Sequence, residues 1–271
     1  MSRISRAIAA LVLVLAVVAV GAPQASAAAP LHREARTRDS YIALGDSYAA
    51  GVGAAPTSNS CGRTSLAYPK LIAAAGRLDL TQVACSGATM ADVAATQLSA
   101  LEPGTDFVTI QIGGNDVGFV PVLAVCAQTD NDAQCAAAVA QSTAYLNGGF
   151  TINAAALFGA VRAGAPSAKL IVVGYPHLFG SKDCSALTEF TAAERALLND
   201  SADLLNRRLA QAARLVGADF ADPTDRFDGH AWCSRTPWIN GPASPLAAFH
   251  PNALGQLLGY LPVVGRQFLD S

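Results

Sequence analysis

The sequence predicts a three-layer α/β/α sandwich built on a central, mainly parallel five-stranded sheet. Three observations predict it. Short apolar runs, each stopped by glycine or a turn, alternate along the chain with longer stretches of helical period. No linker, internal repeat or low-complexity break divides the chain from residue 41 onward. The composition, 52% apolar and 14% charged over 271 residues, is ample for one large buried core and excludes a disordered or collagen-like chain.

Five runs read as strands. Residues 41–44 (Tyr-Ile-Ala-Leu) stop at Gly45; residues 78–83 alternate weakly and end at Cys85-Ser86-Gly87; residues 107–112 are β-branched and stop at Gly113-Gly114. Residues 169–173 form a fourth run, stopped by Gly174 and Pro176, and residues 218–221 a weak fifth. Between them, helical stretches fall at 65–75, 90–98, 133–146 and 153–163, with a last helix after Pro251. The clearest runs over 191–216. It opens with Thr191-Ala192-Ala193-Glu194, a capping-box spacing, and carries Leu197, Leu198, Leu204, Leu205, Leu209 and Leu215 near helical period. A crossover helix is the economical way to return a strand parallel to its neighbour, hence the layered sheet. Sites in such sheets lie beyond the strand C-terminal ends.

The N-terminus has a different character. Arg3 and Arg6 precede an apolar run over 7–20 and an Ala25-Ser26-Ala27 exit, the pattern of a secretory signal peptide over residues 1–27. The run is too short to span a membrane comfortably. Residues 28–40 read as a flexible leader and 41–271 as a single domain. Cutting after Ala27 removes two of the 18 basic residues and none of the 20 acidic ones, leaving a formal charge of −4. No broad basic field exists to gather nucleic acid, so that partner is excluded.

All six cysteines lie in the exported part, at 61, 85, 126, 135, 184 and 233, and an even count there reads as disulfides. Nearest-neighbour pairing is preferred among the alternatives: Cys61 with Cys85, Cys126 with Cys135, and Cys184 with Cys233. Each short loop would add roughly 2–4 kcal/mol.

The unusual polar residues follow the strands. Gly45-Asp46-Ser47-Tyr48 comes after the first, Cys85-Ser86-Gly87 after the second, Gly113-Gly114-Asn115-Asp116 after the third, and Phe249-His250-Pro251-Asn252 stands near the end. A serine hydroxyl attacks an acyl carbon only when a base takes its proton, and the oxyanion that forms needs donors already in place. Each loop taken alone also fits a plain turn with a helix cap, and His250 alone fits a structural histidine at a helix start. Four such segments in order favour chemistry.

These four blocks resemble those of the GDSL or SGNH hydrolases, and their spacing is similar to that of secreted actinobacterial lipases and esterases. The likeness covers residue 41 to the C-terminus. It implies a flavodoxin-like sheet, Ser47 as nucleophile and His250 as general base. It also implies an oxyanion hole from the N–H groups of Ser47 and Gly87 and the side-chain amide of Asn115. Two departures stand out. Tyr48 replaces the Leu of the four-letter motif, and Ala247 occupies the place, three residues before the histidine, where the family commonly carries an Asp. The resemblance therefore points to a dyad in which the carbonyl of Ala247 or a neighbour orients the imidazole. Asp222, Asp225 and Asp228 are the remaining carboxylate candidates.

Other residues have blander readings. His32 lies in the leader, and His177 and His230 read as loop or rim residues, with His230 near the substrate mouth because Trp232, Cys233 and Trp238 follow it. The tryptophans fit either an acyl-binding wall or packing under the Cys184 to Cys233 excursion. The small residues Ala49, Ala50, Gly51 and Gly53 suggest an open cleft. Rival chemistries fail on spacing. Ala49 stands where a Gly-x-Ser-x-Gly elbow needs its second glycine, Pro56 breaks the dinucleotide pattern begun at Gly51, and neither a P-loop nor His-Glu-x-x-His occurs. The expectation is a secreted, monomeric carboxylic ester hydrolase, requiring no cofactor and no metal, acting on a lipid or other acyl ester. Polysaccharide or small-ester deacetylation is the alternative within the same chemistry, and a noncatalytic lipid-binding module the alternative outside it.

Overall fold

A computed structural model describes residues 38–57, 59–128, 132–180, 190–244 and 247–269. The predicted signal peptide and nearly all of the leader lie outside the described residues, as does Cys184. Strands β1 (Ser40–Gly45), β2 (Asp79–Gln82), β3 (Phe107–Gln111), β4 (Lys169–Val173) and β5 (Asp219–Ala221) form one sheet in the order β2-β1-β3-β4-β5. Every pairing is parallel, with Ile42 opposite Val108 and Leu44 opposite Ile110. The central strands are nearly continuous apolar runs because helices cover both faces, whereas edge strand β2 is only half-buried. The crossover direction reverses between β1 and β3, and at that switch point a crevice opens beyond the strand C-termini.

The helices fall largely where the periodicity puts them. Helix α1 (Ser47–Ala50) is a single turn after β1, followed by α2 (Tyr68–Gly76), α3 (Met90–Thr96), α4 (Phe119–Gln128), α5 (Asp132–Asn147) and α6 (Phe150–Gly164). Then come α7 (Ala192–Leu215), α8 (Thr224–Phe227), a π-helical stretch (Gly255–Tyr260) and α9 (Leu261–Gly265). Both halves of the Thr191–Glu194 capping box form. Helix α2 starts later than the predicted 65, since Pro69 sits in its first turn, where its missing N–H costs nothing. Helix α4 lies outside the predicted helical stretches, because Pro121, its third residue, reads as a break in the chain.

Two disulfides match the nearest-neighbour expectation: Cys61–Cys85 and Cys126–Cys135. Cys233 is disulfide-bonded as well. The first bridge ties the segment after α1 to the Cys85-Ser86-Gly87 loop, and the second joins α4 to α5.

Candidate active site

The turn after β1 is built by exclusion of a side chain. Gly45 has φ 134°, and a Cβ there would stand 2.2 Å from the carbonyl oxygen of Gln111 on β3. Its N–H and carbonyl are both held by the side-chain amide of Gln97, at 2.8 and 2.9 Å. Asp46 then caps α1, accepting from the Tyr48 N–H at 2.9 Å with one oxygen and from the Tyr175 hydroxyl at 2.5 Å with the other. The capping role and a place in the turn that carries Ser47 thus coexist in one residue. Burial pushes the Asp46 carboxyl up to about 7, against the opposing pull of its hydrogen bonds from Tyr175 and Tyr48.

Ser47 opens α1 at the floor of the crevice, 8% exposed. Its Oγ lies 2.8 Å from Nε2 of His250, 203 residues later. Nδ1 of the same ring lies 2.9 Å from the carbonyl oxygen of Ala248. A carbonyl only accepts, so Nδ1 carries the proton, and Nε2 is left with a lone pair facing the serine hydroxyl. Burial pulls the imidazole below its ordinary value, while the Ala248 bond partly offsets that shift. The ring is therefore neutral at neutral pH, in the tautomer that accepts from Ser47.

The orienting carbonyl is thus that of Ala248, a neighbour of Ala247. None of the carboxylate candidates hydrogen-bonds to His250. Asp222 accepts from the N–H and hydroxyl of Thr224, and Asp225 and Asp228 line a separate groove with His177. The turn carrying His250 is fixed from outside: Asn240 and His250 share a short antiparallel bridge region, with the Asn240 N–H donating to the His250 carbonyl at 2.9 Å.

Asn115 follows β3 and lines the same cleft as Ser47 and His250. Its amide donates to the carbonyl of Ala88 at 2.9 Å, joining its loop to that of Gly87. Asp116 reinforces the joint by accepting from the Met90 N–H at 3.0 Å. Gly87 takes φ 82°, and no heavy atom lies within 4 Å of where its side chain would begin. It faces open space at the end of its loop.

The cleft itself is mostly apolar. Leu123 from α4, Leu178, Ala202 and Leu205 from α7, and Phe249 line it, with Tyr175 and Asp46 at its floor. Val120, 59% exposed, stands at its mouth. Several sequence readings change here. Trp232 and Trp238 do not line the cleft among its described residues. Trp232 packs against Phe249, and Trp238 against Phe227, while the Cys184 side of the predicted excursion lies outside the described residues. His230 stacks flat on Trp238 at 3.7 Å and is away from the cleft. His177 pairs with Asp203 at 2.7 Å on a neighbouring groove. Ala49, Ala50 and Gly51 are buried rather than open, and a Cβ on Gly51 would meet Ala67 at 2.6 Å.

Tyr175 and Gln97 escaped sequence reasoning. Tyr175 follows β4 directly, at the strand end where sites gather, which was the available signal; Gln97 carried none.

Residues 43–258 match the GDSL-like Lipase/Acylhydrolase family. Lipase 1 of Streptomyces coelicolor is 37% identical over 257 residues, spanning 92% of this chain and 94% of that protein. The crystal structure of an extracellular lipase from Streptomyces rimosus superposes with a TM-score of 0.81 at 37% identity, over 84% of this chain and 99% of that one. Phospholipase A1 from Streptomyces albidoflavus NA297 gives 0.80, also at 37% identity, over 85% of this chain and all of that one. The chain belongs to the GDSL-like lipase/acylhydrolase family and is a carboxylic ester hydrolase.

Proposed function

We propose that the protein is a secreted lipase or phospholipase-type esterase working through a Ser47–His250 dyad. The observation that carries this reading is the 2.8 Å contact between Ser47 Oγ and the proton-free Nε2 of His250, at the end of an apolar cleft. His250 takes the hydroxyl proton as Ser47 attacks the ester carbonyl. The imidazolium then returns that proton to the leaving alcohol, and a water repeats the cycle on the acyl-enzyme. The N–H groups of Ser47 and Gly87 donate to no other group among the described residues, which leaves them available to an oxyanion, and the Asn115 amide, on the same cleft as Ser47, has a second N–H to add.

The acyl chain would lie along Leu123, Leu178 and Leu205, which with Phe249 form the apolar wall of the cleft. The relatives named lipase and phospholipase A1 support a lipid substrate. Export is supported by the signal-like pattern of residues 1–27, by disulfides formed in oxidising compartments, and by the relative described as extracellular. Among the described residues no helix is long and apolar enough to cross a membrane.

Two measurements test the reading. A fluorophosphonate should label the folded protein at Ser47 and nowhere else, whereas an unlabelled folded protein would favour a binding module. On p-nitrophenyl esters of increasing length, kcat/KM should rise beyond acetyl. A steep preference for acetyl would favour the deacetylase.

A further inference from the structure

Tyr48 adjoins the serine in sequence, yet its side chain ends in the turn that carries the histidine. Its hydroxyl donates to the carbonyl of Phe249 at 2.6 Å, and its ring lies 5.1 Å from the His250 ring. Phe249 has φ 60°, the left-handed region, a costly place for a bulky side chain unless the surroundings hold it there. Three contacts do so. The Phe249 N–H donates to the Asn240 carbonyl at 2.9 Å, its ring is packed by Phe179, Phe190 and Trp232, and Tyr48 takes its carbonyl.

The backbone angles of Phe249 matter because only this residue separates the Ala248 carbonyl from His250. A carboxylate on another segment would keep facing an imidazole through small rotations of the turn. A carbonyl two residues back in the same turn swings away as soon as Phe249 relaxes out of the left-handed region.

We propose that Tyr48 is a positioning residue for ester hydrolysis. Its hydroxyl locks the 248–250 turn, so that a main-chain carbonyl does the orienting that the family's Asp would do, and it ties that turn to the serine's own helix. This rests on the Ser47–His250 dyad. It also gives a reason for Tyr, in place of the motif's Leu, in a chain that has Ala at 247.

Tyr48→Phe removes the hydroxyl and keeps the ring. In the full chain, kcat on a p-nitrophenyl ester should fall at least tenfold with KM changed less than twofold. Fluorophosphonate labelling of Ser47, measured per folded molecule, should slow by the same factor. Tyr48→Leu, which installs the motif's residue, should lose at least as much per folded molecule, and active-site labelling counted against the folded fraction keeps the test valid if either variant folds poorly. Turnover within twofold of wild type in the folded variant overturns the proposal. So does a rise in KM alone, which would reduce Tyr48 to a cleft wall, or a loss that follows only the folded fraction. Failure of the wild-type protein to label at Ser47 would instead remove the dyad beneath it.

Discussion

The carbonyl oxygen of Ala248 stands 2.9 Å from Nδ1 of His250, so the imidazole is oriented by its own turn and not by a carboxylate from another segment. A neutral acceptor selects the tautomer as well as a charged one does, but it stabilises the imidazolium less. Burial acts in the same direction, since it too disfavours the charged ring.

The pH dependence follows from that. His250 works as a base only when neutral, and its folded value lies below the ordinary 6.5. Lowering a base's value extends its neutral form further into acid. The acidic limb of kcat/KM should therefore have its midpoint below pH 6.5, as a pH profile between 4 and 9 will read.

Asn115→Ala should lower kcat at least tenfold, because one oxyanion donor is usually worth about 2.7–4 kcal/mol in the transition state. The same change breaks the Asn115–Ala88 bond, so a modest loss of thermal stability should accompany it. Steady-state kinetics beside a melting curve separates the two effects, and unchanged turnover would take Asn115 out of the site.

Asp46 makes a stability prediction. Its carboxyl is raised from about 3.8 to about 7 by burial, so its folded form holds a proton that its unfolded form releases. The contribution is fully present below 3.8 and is lost as pH rises through about 7. Across that interval the Asp46→Asn variant should gain on the wild type, by at most roughly 1.4 kcal/mol per pH unit. Urea titrations of both proteins at pH 4, 5.5 and 7 check the slope of the difference.

Leu205 belongs to α7 and lines the cleft while 4% exposed. Replacing it by Trp should fill the space an acyl chain would use. The ratio of kcat/KM for octanoyl over acetyl esters should fall at least tenfold, since each methylene in an apolar pocket contributes on the order of 1–3 kcal/mol of discrimination. An unchanged ratio would place the acyl chain elsewhere.

The strands were legible because their signals are local. The 107–112 run reads as buried from its β-branched residues alone and appears as Phe107–Gln111; the Thr191–Glu194 box marks a helix start and forms as written. Helix α4 was not legible, since Pro121 at its third residue reads as a break until the helix around it is seen. The single turn Ser47–Ala50 is too short for any period, although Asp46 could be read as a cap.

By itself the sequence determined the layered parallel architecture and the order in which serine, glycine and asparagine follow their strands, with the histidine last in the chain. Periodicity and turn chemistry depend on residues a few positions apart, and these are written directly in the chain. Only the tertiary structure decided that Ala248 supplies the acceptor, that Tyr48 reaches Phe249 across 201 positions, and that Trp232 packs instead of lining the cleft. Those contacts depend on how separate segments meet. The choice among neighbouring carbonyls turns on the backbone angles of one residue, Phe249, which its own side chain disfavours and only its surroundings impose.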